Sequence, residues 1–359
     1  MSVKVKSSSG SRWLGEKSRA FLSATVLLTA LACTSEESLT EPSVAAGVTA
    51  EMRVAKTYTA LDLDTPFGSG EATAINPAGV VVGNVGDAFI WEKGVLLTDE
   101  LATVGFFRAF DINPAGQVVG AGFLPGADGF HALLWEKGVV TDLGTLGGVL
   151  SEATAINPKG QVVGWSFTSD WSTHAFLWEK GVMRDLGTLG GATSSALGIN
   201  PKGQVVGYST TATGLTHAFL WENGVMQDLG TLGGGFSLAE DINASGQVVG
   251  LSYIAGGGAT THAFIWEKGV MTDLGTPGGE FVNSGANAIN AAGQVVGTVA
   301  SEGFAVFRPV IWDKGVITEL ATLSGGGFGQ ALDINPAGQV VGMSTGQFSL
   351  QVPTLWTRK

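Results

Sequence analysis

The chain has 359 residues, of which 55 are glycine, 44% are hydrophobic and only 14% are charged. So much glycine among so much apolar sequence excludes a disordered chain and points to short apolar strands joined by tight turns. A net charge of −12 disfavours nucleic acid and anionic headgroups as partners, and the single cysteine excludes an intramolecular disulfide.

Residues 1–32 read as a lipoprotein signal peptide. Lys4, Lys6, Arg12, Lys17 and Arg19 form a basic region, and residues 20–32 are uncharged and mainly apolar. That stretch is short for a membrane span but suits a signal-peptide core. It ends in Ala30-Leu31-Ala32 before Cys33, which resembles a bacterial lipobox. The resemblance implies that the Cys33 thiol is acylated and that the chain is lipid-anchored at the cell envelope or surface. Residues 33–56 carry Ser, Thr, Glu and Pro without a period and read as a disordered tether.

The remainder, 57–359, is a repeat. The segment Ile-Asn-x-x-Gly-x-Val-Val-Gly recurs with its asparagine at Asn76, Asn113, Asn157, Asn200, Asn243, Asn290 and Asn335. A second segment, fullest as His-Ala-Phe-Leu-Trp-Glu-Lys-Gly-Val, places tryptophans at Trp91, Trp135, Trp178, Trp221, Trp266, Trp312 and Trp356. A third, Asp-Leu-Gly-Thr-Leu-Gly-Gly, follows six of them, and Asp62-Leu63-Asp64-Thr65 is a degenerate copy ahead of the first asparagine. Each repeat divides into strands a, b, c and d, for example Ala153–Ile156, Gln161–Gly164, His174–Trp178 and Val182–Leu186. Asn157-Pro158-Lys159-Gly160 turns a into b. Lys180-Gly181, or Asn223-Gly224 one repeat on, turns c into d as a two-residue hairpin loop.

Four strands in ~43 residues is the size of a propeller blade. Continuous apolar runs such as Ala175-Phe176-Leu177-Trp178 suit strands covered on both faces. The chain starts on a lone d strand, 57–63, and ends on a lone c strand at Leu355-Trp356. The expected fold is therefore an all-β, seven-bladed β-propeller, closed by pairing of the N-terminal strand with the C-terminal blade. The His-Ala-Phe and Asp-Leu-Gly-Thr-Leu-Gly-Gly segments resemble the HAF-type extracellular repeats of bacteria over residues 57–359. That family is of unknown function, so the resemblance implies an extracellular compartment and the repeat architecture, and no chemistry. Asp87, Arg308 and Pro353 stand where the pattern has His.

His131, His174, His217 and His262 occupy one place in successive repeats, which sets them too far apart for a common metal. Each is expected to bond a neighbouring blade or loop. Asp142, Asp185, Asp228 and Asp273, with Glu100 and Glu319, are expected to be blade-to-blade hydrogen-bond partners, and the repeat tryptophans to be core. No nucleophile with a base, phosphate loop or calcium loop is recognisable, so no catalytic residue, metal or cofactor is assigned.

The b–c segments vary most between copies and carry aromatics: Phe123, Phe130, Trp165, Phe167, Trp171, Tyr253 and Phe304. Variable loops over a rigid scaffold are where binding residues concentrate. These seven are the ligand-binding candidates. The expectation is a monomeric, noncatalytic envelope lipoprotein that presents this face to a protein or a glycan and meets membrane only through its anchor. The alternatives are an enzyme acting on an extracellular polysaccharide or small molecule, marked by polar residues unique to one or two blades near the axis, and a purely structural envelope component.

Overall fold

The computed structural model describes residues 53–359 apart from 55–57, 64–68, 98–100, 102–104, 257, 324–326 and 347–349. The signal peptide, Cys33, Glu100 and most of the expected tether lie outside these residues. Arg53–Val54, at the tether's end, pairs in parallel with Thr318 and Glu319.

The described chain is all-β, with one three-residue 3-10 turn at Glu302–Phe304. Its strands form four-stranded antiparallel sets in the order a-b-c-d. One such set is Gly147–Ile156, Val162–Thr168, Thr173–Glu179 and Val182–Asp185. Two neighbouring sets merge into one eight-stranded sheet through a single parallel pair, Thr216 with Phe236. Tyr58–Asp62 pairs antiparallel with Gln351–Arg358, bringing the first and last strands of the repeat region into one sheet.

Each part of the repeat does an identifiable job. In the a–b turn, Asn200 Oδ1 accepts from Lys202 N and Gln204 N, while its Nδ2 donates to the Asn243 carbonyl of the next repeat at 3.1 Å. The same bond runs from Asn76 to Asn113 and on through the copies, and Asn335 Nδ2 returns it to Asn76 O at 3.2 Å. In strand b, a Cβ on Gly164 would collide with the Glu152 carbonyl, because strand a bulges towards it between Ala153 and Ala155. Lys180 and Gly181 have φ of +52° and +82°, the two left-handed residues of a primed hairpin turn.

In the third repeat strand a is longer than expected. It begins at Gly147 rather than near Ala153 and absorbs the last two glycines of the third segment. Gly148 lies so close to the Phe167 backbone and Cβ that a side chain has no room there, and this lets the chain run straight from the link into the strand.

The core lies between consecutive sets. One cluster joins Val163, Leu177 and Leu186 to Ile199, Phe219 and Trp221 of the following repeat. Another joins Leu63, Ala72, Phe89 and Trp91 near the start to Val341 and Leu355 near the end. The repeat tryptophans are core residues: six are buried, and Trp178 is half-buried against its cluster.

Candidate functional site

Histidine and aspartate are the residue types that most often carry chemistry, and four such pairs recur along the repeats. The structure corrects the expected partners. His131, His174, His217 and His262 each bring Nδ1 to the aspartate eleven residues on, at 2.9, 2.8, 2.8 and 2.7 Å. The bond lies within one sheet, from strand c to strand d, and not between blades. The hairpin register explains it: Phe176 pairs with Asp185, so His174 sits diagonally beside Asp185 on the same face. The other oxygen of Asp185 accepts from Gly187 N at 2.7 Å, pinning the d–a link. In the sixth repeat Arg308 and Glu319 hold the same two places, with Nε and Oε1 3.3 Å apart. An arginine replaces the imidazole there, and the contact between strands c and d is kept. Among the described residues, no group of three or more His, Cys, Asp or Glu is arranged to hold a metal.

Serines that the sequence reading passed over join the turn asparagines in bonding one repeat to the next. Ser194 Oγ accepts from Ala175 N of the preceding sheet at 2.8 Å and donates to Gly187 O at 2.6 Å. Their signal was the small polar residue two before the alanine of strand a.

A second feature escaped the sequence reading. The residue two before the turn asparagine is Ala74, Asp111, Ala155, Gly198, Asp241, Ala288 and Asp333 in turn. Asp333 Oδ1 accepts from Ile334 N at 2.7 Å, and Oδ2 accepts from Ile75 N of the first repeat at 2.8 Å. Asp111 and Asp241 likewise bridge to Ile156 and Ile289 of their next repeats. The Asp333 carboxyl is pushed up to about 7 by burial first and by the charges of Asp111 and Asp241, against the two backbone bonds that hold it down. Three acids from separate repeats therefore sense one another, and each staples two repeats together.

Five of the seven candidate aromatics form one continuous ladder. Phe123 meets Phe130 at 6.3 Å, Phe130 meets Trp165 at 6.0 Å, Trp165 meets Phe167 at 5.8 Å and Phe167 meets Trp171 at 6.1 Å between ring centroids. The step from Phe130 to Trp165 crosses from one repeat to the next. Trp165 Nε1 donates to Glu152 Oε1 at 3.2 Å, which fixes the middle ring. The inner rings are half-buried, while the end rings stand out: Phe123 is 62% and Trp171 69% exposed. Tyr253 lies apart, packed on Phe236 at 5.1 Å. Phe304 also lies apart, against Phe307 at 6.1 Å, which in turn meets Phe328 at 4.9 Å.

Trp171 stands on unusual backbone. Its φ is +68°, and its N–H donates to Thr168 O at 3.1 Å while Thr168 N donates to Ser172 O at 2.9 Å. The next repeat builds the same turn with the same bonds, from Gly214 N to Thr211 O and from Thr211 N to Leu215 O. There the left-handed residue is Gly214, at φ +84°. A residue with a Cβ costs about 1–2 kcal/mol in that conformation. The third repeat bears that cost to hold a mostly exposed tryptophan. Phe304, at φ +59°, is a second b–c aromatic in the left-handed region.

No family model matches the chain, and no curated protein matches it in sequence. Solved structures do match. An acylaminoacyl peptidase from Pyrococcus horikoshii is 11% identical with a TM-score of 0.53, covering 83% of this chain and 53% of its own. TolB from Acinetobacter baumannii is 10% identical with a TM-score of 0.44, covering 84% and 80%. A puromycin-hydrolyzing peptidase from Mycobacterium tuberculosis is 15% identical with a TM-score of 0.45, covering 82% and 51%. This chain thus spans about half the length of either peptidase. At these identities the likeness to the Pyrococcus protein concerns fold alone.

Proposed function

We propose that this chain is a noncatalytic binding scaffold of the bacterial cell envelope, a closed seven-bladed β-propeller of the HAF-repeat kind that presents its b–c face to a protein or a glycan. Closure is supported by the Tyr58–Asp62 pairing with Gln351–Arg358, by the asparagine bond returning from Asn335 to Asn76, and by the core shared between the first and last repeats. Lipidation at Cys33 would set the scaffold on a membrane surface. The observation that carries the binding reading is Trp171, exposed on costly backbone at the end of a five-ring ladder. Exposed aromatics braced from below give contact area at little entropic cost.

The test is a glycan array and a pull-down, each run with the full-length chain and with a Phe123→Ser, Trp171→Gly double variant. Ligands held by the parent and lost by the variant support the reading, and ligands held equally by both place binding elsewhere. A second reading, an enzyme acting on an extracellular polysaccharide or small molecule, draws on the raised Asp333 carboxyl beside Asp111 and Asp241. Both oxygens of Asp333 already hold backbone N–H groups, which favours a structural role. Hydrolysis that disappears in Asp333→Ala, with the fold intact, would favour the enzyme.

A further inference from the structure

The chemistry around the ladder narrows the partner. Among the described residues, every lysine except Lys359 sits in a c–d or a–b turn: Lys93, Lys137, Lys180, Lys268 and Lys314 in the first, Lys159 and Lys202 in the second. Antiparallel pairing puts those turns at one end of the sheets and the b–c turns at the other. The two b–c turns beside the ladder, 124–129 and 168–172, contain Asp128 and Asp170 and no lysine or arginine. Asp170 precedes Trp171 and is exposed. Its carboxyl is held below the usual range first by the Thr168 hydroxyl and then by the Ser172 backbone N–H. The ladder therefore ends in an exposed indole on a turn that also holds an exposed carboxylate, at the end of the sheets that lacks lysine among the described residues.

Ring orientation decides between partners of different shape. Successive rings meet at 88°, 87°, 45° and 63°, so no two neighbours are coplanar. Such a ladder offers no flat strip on which consecutive sugar rings could stack. It offers separate faces, and the turn that carries the Trp171 face also carries the Asp170 anion. A planar guanidinium suits that arrangement, since it stacks on an aromatic face and bonds a carboxylate through its edge. We infer that the ladder docks an arginine-bearing segment of a partner protein, with a guanidinium over Trp171 and bonded to Asp170. The inference rests on the reading of the b–c face as the binding face.

The experiment titrates the full-length chain, by fluorescence anisotropy at about 0.15 M salt, with labelled hexa-arginine, hexa-lysine and chitohexaose. Hexa-arginine is expected to bind at least about fivefold more tightly than hexa-lysine, and Trp171→Gly to weaken it about tenfold. Glycine fits the left-handed turn, as Gly214 does, so a melting curve can separate lost contact from lost fold. Asp170→Asn should weaken hexa-arginine about threefold. Glu179→Gln, which removes one charge at the opposite end, should leave the affinity within about 1.5-fold. The inference is overturned if Trp171→Gly and Asp170→Asn bind hexa-arginine like the parent, because the attraction is then bulk charge. It is also overturned if chitohexaose binds through Trp171 and hexa-arginine does not, an outcome that leaves the b–c binding face standing. If no probe and no array ligand responds to changes in the ladder, both readings fall.

Discussion

Two substitutions at Trp171 should affect stability differently, and the difference measures the backbone cost directly. Trp171 is 69% exposed, so about a third of its surface is covered, and its ring packs against Phe167. Covering roughly 75 Å² of indole contributes at most about 2 kcal/mol. Trp171→Ala loses that contact and keeps a Cβ at φ +68°, so it should destabilise by about 1–2 kcal/mol. Trp171→Gly loses the same contact but relieves about 1 kcal/mol or more of left-handed strain. Glycine should therefore come within about 1 kcal/mol of the parent and above alanine by a similar amount. Urea unfolding followed by circular dichroism, with the same slope for all three proteins, reads these differences. Alanine as stable as glycine would refute the strain argument. A loss above about 3 kcal/mol in both would make Trp171 a core residue.

Other consequences follow from the same contacts. Deleting residues 57–63 unpairs the last sheet and exposes the contacts of Tyr58 and Leu63, both buried, so the truncated chain should lose about 5 kcal/mol and melt earlier by calorimetry. An unchanged melt would mean that the first strand does not secure the repeat array. Asp333, raised to about 7 when folded, binds a proton more tightly in the native than in the unfolded chain. Its contribution should therefore weaken stability as pH rises from about 4 to about 7 and then level off, by up to about 4 kcal/mol shared with Asp111 and Asp241. Subtracting the pH–stability curve of Asp333→Ala from that of the parent should show this fall, and a flat difference would contradict it. Cys33→Ala should move the chain from the membrane to the soluble fraction, and labelled fatty acid should attach to the parent alone.

Much of the fold was legible because its signals are local. The Asn-x-x-Gly turns, the Lys-Gly and Asn-Gly hairpins and the apolar runs each specify conformation within a few residues, and seven copies reinforce one another. Side-chain partnership was harder to read. His174 was expected to bond a neighbouring blade or loop and Asp185 to bond between blades, yet the two-residue turn at Lys180-Gly181 already sets a register that makes them diagonal neighbours. Ser194 and Asp333 act across repeats separated by many residues, so their roles depend on how sheets pack rather than on spacing. The aromatic candidates were chosen for sitting in variable segments. That criterion could not separate the five that touch in sequence from Tyr253 and Phe304, which pack elsewhere. The comparison of Trp171 with Gly214 was open to a sequence reading that aligned the b–c turns copy by copy.

That alignment supplies the most direct test of the binding claim. Residues 169–171, Ser-Asp-Trp, and residues 212–214, Ala-Thr-Gly, fill the same turn with the same backbone bonds. Replacing the first triplet with the second removes the exposed indole and its carboxylate while keeping a turn this protein already uses. The measurement is the affinity of the grafted full-length chain for whatever ligand the parent holds, with a melting curve beside it. A melting temperature within about 3 °C of the parent and a loss of binding of about tenfold or more are the expected pair. Unchanged affinity on an intact fold would contradict the b–c face as the binding surface.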